Sequence, residues 1–91
     1  MSIYLITYDL AAPGRNYATL HKQLADWRAV RICESVWLAE LAGPASTVRD
    51  ILRALIDDND RLFVVQQFPN AQWGSFNVIS EGASWLQIHI P

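Results

Sequence analysis

The apolar positions change period repeatedly along the chain, and each change marks the border of an element. Residues 3–9 alternate without a polar face: Ile3, Leu5 and Thr7 fall on one side, and Tyr4, Ile6 and Tyr8 on the other. A strand that is apolar on both sides expects cover on both. Pro13-Gly14-Arg15 then predicts a turn, because Pro fixes φ and Gly accepts left-handed geometry. Asn16 is suited to cap the helix that follows. In that helix Tyr17, Leu20, Leu24 and Trp27 recur at helical spacing, while Ala18, Lys22, Gln23 and Asp26 fall mostly on the opposite face.

From residue 29 to residue 41 the pattern returns to strand. Two readings fit: two strands joined by a tight turn near Glu34, or one long strand with a bulge there. Gly43-Pro44 signals a second helix, with Pro in its first turn. Val48, Ile51, Leu52, Leu55 and Ile56 then mark one face at i, i+3, i+4, i+7 and i+8, and Arg49, Asp50 and Arg53 mark the other. Asp57-Asp58-Asn59-Asp60 reads as a solvated helix terminus, with Asn59 or Asp60 taking a left-handed conformation. Residues 61–66 form a short strand with an apolar centre.

The order is β-α-β-β-α-β. It predicts an α+β, ferredoxin-like sandwich: a four-stranded antiparallel sheet with two helices on one face. Residues 3–67 make the core of this one domain, and residues 68–91 make a tail. In the tail, Pro69-Asn70-Ala71-Gln72-Trp73-Gly74 is rich in turn formers, and a short helix is expected over residues 81–87. Trp73, Phe76, Trp85 and Ile88 carry too much apolar surface to leave in water, so the tail should pack along the sheet edge or onto a partner. The open face of the sheet is covered most economically by a second copy, which predicts an isologous homodimer.

Composition narrows the function. Nine acidic and seven basic side chains give a net charge of −2, poor material for strong non-specific nucleic-acid binding. Six of the basic residues are Arg (Arg15, Arg28, Arg31, Arg49, Arg53 and Arg61), spread along the chain as a solvated surface would have them. Cys33 is the only cysteine, which excludes a disulfide within the chain. It reads as a small core or near-core residue in a reducing compartment. The start Met1-Ser2-Ile3-Tyr4 carries no basic region or cleavage site, and no apolar run is long enough to span a bilayer. The expected location is the cytoplasm, with no membrane partner.

Two segments carry a family resemblance. Tyr4-Leu5-Ile6-Thr7-Tyr8-Asp9-Leu10, followed after a helix by Arg31-Ile32-Cys33-Glu34-Ser35-Val36-Trp37, resembles the CRISPR-associated Cas-two superfamily. That family has a first strand ending in Tyr-Asp and a later Ser-Val-Phe strand. Pro13-Gly14-Arg15-Asn16-Tyr17 and Asn59-Asp60-Arg61-Leu62-Phe63-Val64 are similar to its stand-alone SinR-like branch, and the virulence-associated D toxins share the fold. The resemblance implies a ferredoxin-like homodimer acting as a metal-dependent endonuclease on RNA or DNA. It carries the strand-end aspartate over to Asp9 and the motif serine to Ser35. Trp37 stands where the family has phenylalanine.

In that reading Asp9 of both subunits holds one hard cation, Mg²⁺ or Mn²⁺. Tyr8 and Ser35 complete the catalytic group, and Arg15 and Arg31 contact nucleic acid. The plainer reading of Asp9 is a strand-end carboxylate bonded to backbone N–H groups of the adjacent turn. For Ser35 it is a hydroxyl that satisfies the strand junction. The corresponding alternative function is a non-catalytic dimeric module that binds nucleic acid or a protein partner. His21 and His89 have no second ligand at zinc spacing and read as partly buried helix and tail residues. The tryptophans read as core and dimer contacts.

Overall fold

Strand β1 (Ser2–Asp9) runs through the interior of a four-stranded antiparallel sheet completed by β2 (Val30–Cys33), β3 (Val36–Leu41) and β4 (Arg61–Gln67), in the order β2-β3-β1-β4. The computed structural model describes residues 1–11 and 17–90. Helix α1 (Ala18–Asp26) lies between β1 and β2, and α2 (Ala45–Arg53) lies between β3 and β4. This is the α+β, ferredoxin-like order that the apolar pattern predicts.

The first face is closed by the two helices. Tyr4, Ile6 and Tyr8 point toward it and are buried. Ile6 and Tyr8 pack with Leu20 and Leu24 of α1, Val48 and Leu52 of α2, and Tyr17. Helix α1 starts one residue later than expected. Tyr17 occupies its N-cap position, and Asn16, with the Pro13-Gly14-Arg15 turn, lies outside the described residues. Pro44 is the N-cap residue of α2 rather than part of its first turn, and the Gly43-Pro44 peptide is cis. Of the five apolar positions expected on the inner face of α2, Ile51 is exposed, while Leu55 and Ile56 lie beyond the helix end and are half-buried. Gly43 has φ +71°, and a Cβ there would run into the Tyr4 hydroxyl. Glycine is therefore required on both conformational and steric grounds.

Residues 29–41 contain both devices that the sequence left open. Glu34-Ser35 form a tight turn between two strands, and a bulge interrupts the pairing as well. The bulge sits in β2, between Arg31 and Cys33, rather than at Glu34.

The second face differs from a plain two-helix sandwich. The tail forms a third helix, α3 (Ser80–His89), longer than the expected 81–87 segment. Leu86 and Ile90 pack with Ile32 and Leu38 on the side of the sheet away from α1 and α2. Helix α3 lies over β2 and β3, and Ile3 and Leu5 of β1 pack against the same cluster. Over β4, Phe63 and Val65 stay exposed. Two further expectations fail here: Phe76 and Ile88 are left in solvent, at 93% and 74% exposure, while Trp73 and Trp85 are half-buried. Cys33 is exposed rather than near-core. Among the described residues no helix is long and apolar enough to cross a membrane.

Candidate functional site

The antiparallel register carries β1 out of the sheet at Asp9, beside the Glu34-Ser35 turn and the N-terminal end of α1. A cavity of about 330 Å³ opens there, lined by Tyr8, Asp9, Leu10, Tyr17, His21, Arg31, Glu34 and Ser35. Four of the five residues singled out from the sequence, Tyr8, Asp9, Arg31 and Ser35, thus face one space. The fifth, Arg15, lies outside the described residues.

Asp9 is exposed at the strand end, opposite Arg61 in the β1–β4 register. It also borders a second concavity of about 520 Å³, lined by Thr7, Tyr8, Asp9, Arg61, Leu62 and Phe63. Its carboxylate makes no hydrogen bond or ion pair among the described residues. The turn-bonding work assigned to Asp9 in the plainer reading is done by Asp60 instead. One Asp60 oxygen accepts the Ala11 N–H at 2.7 Å and the Tyr17 hydroxyl at 3.1 Å, and the other accepts the Asp57 N–H at 2.8 Å. Asp60 is therefore a staple between the end of β1, α1 and the entry to β4, not a solvated terminus residue. Neither Asn59 nor Asp60 is left-handed; among the described non-glycine residues Arg28, Asn70 and Asn77 are.

Ser35 is half-buried in the turn, and its carbonyl accepts the Tyr8 N–H at 3.3 Å. This bond extends the β1–β3 ladder by one step and fixes the turn against the cavity. Tyr8 is 6% exposed, and its hydroxyl accepts the Trp37 indole N–H at 3.1 Å.

Arg31 departs furthest from the expected solvated arginine. It is half-buried, with its guanidinium carbon 4.6 Å from the centroid of the Trp37 ring. A cation over an indole face is held by the ring quadrupole. Arg31 Nη2 lies 3.5 Å from His21 Nε2, and Arg31 Nε is buried without a hydrogen-bond partner among the described residues. A buried, unsatisfied charged donor is costly and is retained where something else satisfies it. The remaining basic residues largely behave as predicted: Arg49 pairs with Asp50, Arg53 with Asp58 and Lys22 with Asp26, all on the surface. Surface pairs of this kind contribute little stability.

His21 and Glu34 complete the cavity, and neither was singled out from the sequence. His21 is exposed, as is His89, so the expectation that both are partly buried fails. The signal for His21 was present: it stands four residues after Tyr17, and helical spacing puts the two on one face. No three His, Cys, Asp or Glu side chains converge as a metal site among the described residues. One chain lines this cavity with two carboxylates, Asp9 and Glu34, and with His21, but does not bring three such groups together. No protein-family model matches the chain.

Proposed function

We propose that the chain is a Cas-two-like homodimer that binds the phosphodiester backbone of RNA or DNA at the end of β1 and hydrolyses it with a divalent cation, Mg²⁺ or Mn²⁺, on Asp9 of both subunits. The observation that carries the reading is the convergence of Tyr8, Asp9, Arg31 and Ser35 on one cavity. Arg31 lines the cavity and supplies fixed positive charge in a chain whose net charge is −2, and a guanidinium is a donor group suited to phosphate oxygens. The Tyr8 and Ser35 hydroxyls offer neutral donors beside it.

The donor set fits a hard cation. Asp9 presents exposed oxygen ligands, and Mg²⁺ keeps several waters, so one or two carboxylates suffice. When bound, such an ion supplies Lewis acidity and lowers the pKa of a coordinated water. Asp9 holds the ion, Arg31 binds and orients the phosphate, and the turn carrying Ser35 fixes the far wall of the cavity.

A second reading is favoured by one observation: no converging set of three metal-ligating groups exists among the described residues. In it the Arg31 cavity binds nucleic acid or a protein partner without catalysis. A nuclease assay on single-stranded RNA and duplex DNA with Mg²⁺ or Mn²⁺ separates the two. In the first reading, Asp9→Asn and EDTA each abolish cleavage by about 10²-fold or more, as expected when several kcal/mol of transition-state stabilisation are lost. Cleavage that survives Asp9→Asn refutes it. Binding without cleavage, weakened about tenfold by Arg31→Ala, supports the second.

A further inference from the structure

Trp37 stands behind the cavity rather than in its wall, yet it touches two of the groups that face it. Its indole N–H donates to the Tyr8 hydroxyl at 3.1 Å, and its ring face carries the Arg31 guanidinium at 4.6 Å. Both contacts follow from register. Arg31 is the cross-strand partner of Trp37 on β2, and Ile6, two residues before Tyr8 on the same face of β1, is its partner on the other side.

A phenol has one proton and can accept at its oxygen. The indole N–H occupies an acceptor position of Tyr8 Oη, so at that contact the hydroxyl acts as acceptor only. It makes no other hydrogen bond among the described residues. Its own proton is thereby left for a partner in the cavity. The same indole fixes the plane of the Arg31 guanidinium, whose Nε has no partner among the described residues. One side chain thus sets both a neutral and a charged donor before any ligand arrives.

We propose that Trp37 is a positioning residue for phosphate recognition: by accepting no ligand contact itself, it directs the Tyr8 O–H and the Arg31 N–H groups together at one phosphodiester group of a nucleic-acid backbone. The proposal rests on the reading of the cavity as a backbone-binding site. Preset donors lower the ordering cost of binding, so loss of the setting contact lowers affinity even though the donors remain.

The test measures binding of a fluorescein-labelled single-stranded oligoribonucleotide in EDTA by anisotropy. The chains compared are the parent and its Tyr8→Phe, Trp37→Phe, Tyr8→Phe/Trp37→Phe and Arg31→Ala variants. Trp37→Phe keeps an aromatic face for Arg31 while removing the N–H together with part of the indole's area. It is expected to weaken binding about threefold to tenfold, no more than Tyr8→Phe does. The double variant should bind no more weakly than Tyr8→Phe alone, because the indole N–H acts through the hydroxyl. Effects that multiply, or a Trp37→Phe variant that binds as the parent while Arg31→Ala and Tyr8→Phe lose affinity, overturn this proposal and leave the cavity reading standing. A parent chain that does not bind, or Arg31→Ala and Tyr8→Phe variants that bind unchanged, overturns both. A ligand-free measurement covers the case in which Trp37→Phe fails to fold: Tyr8→Phe should shift the Trp37 indole N–H resonance and speed its hydrogen exchange. An indole signal indifferent to Tyr8→Phe overturns the proposal outright.

Discussion

Asp9 and Asp60 stand at the same end of the sheet, Asp60 next to Arg61, the cross-strand partner of Asp9, and their surroundings assign them opposite roles. Asp60 accepts from Ala11, Tyr17 and Asp57 and so holds the exit of β1 against the entry to β4. Asp9, exposed and without a bond among the described residues, holds nothing. Asp60→Ala should therefore cost about 2–3 kcal/mol, since it strands donors that a charged acceptor had satisfied. Asp9→Asn should change stability by less than about 0.5 kcal/mol. Urea unfolding of the two variants checks the contrast, and a large loss from Asp9→Asn would return that residue to a structural role. The Tyr8-Asp9 strand end and Ser35 were legible in the sequence because each lies in a short local pattern. The division of labour between the two aspartates was not, because Asp60 finds two of its partners, Ala11 and Tyr17, more than forty positions away. The same holds for His21 and Glu34: helical spacing and a turn gave their local conformation, but only the folded sheet brings them to one cavity.

The bulge in β2 has consequences out of proportion to its size. Cys33 pairs with Val36 across the turn, and uninterrupted pairing would then set Arg31 opposite Leu38, on the α3 side of the sheet. The bulge sets it opposite Trp37 instead, on the helix side. A one-residue change of register exchanges the faces of a strand, so the bulge is what delivers Arg31 to the cavity. On this edge strand the Ile32 carbonyl accepts the Ile79 N–H at 3.0 Å, which ties the tail down just before α3 begins. Gly82 then brings α3 against β2 so closely that a Cβ there would lie 2.6 Å from Ile32 Cδ1 and 2.8 Å from the Arg31 carbonyl oxygen. In an isolated helix, Gly→Ala would gain about 1 kcal/mol from propensity alone. Here the backbone of β2 stands in the way, so Gly82→Ala should destabilise the chain and speed hydrogen exchange across α3. A stabilised variant with unchanged exchange would show that α3 does not dock as described. The strands and the first two helices were legible because their apolar periods are clean. Helix α3 was only faintly so, because apolar side chains occur all round it: Leu86 is buried while Ile88 is exposed. No local pattern records a bulge that acts through a partner strand.

At the scale of the molecule, what matters is which part of the second sheet face the chain covers itself. Helix α3 and its cluster reach from β2 to Ile3 and Leu5 of β1 and leave Phe63 at 61% and Val65 at 41% exposure on β4, an edge strand with open backbone groups and a single charge, Arg61. An apolar edge with one charge at its end and no proline invites pairing with another chain. The proposed dimer uses this edge, and the position has a mechanistic consequence. Phe63 and Asp9 line the same concavity, so a second copy seated over β4 sits next to the carboxylate that the proposed reaction shares between subunits. Phe63→Asp places a charge in that contact without touching the helix-side core, and should convert the dimer to a monomer in light scattering. The Arg31 cavity lies on the other side of Asp9 and belongs to one chain, so oligonucleotide binding per protomer should survive in the monomer. Cleavage should not, because the monomer lacks the second Asp9 that the proposed reaction shares between subunits. The three readouts taken together leave little room for accident: a Phe63→Asp monomer that binds but does not cut requires both a catalytic pair and a separate binding cavity. A monomer that cuts at the parent rate confines the chemistry to one subunit, and a variant that remains dimeric moves the interface away from β4.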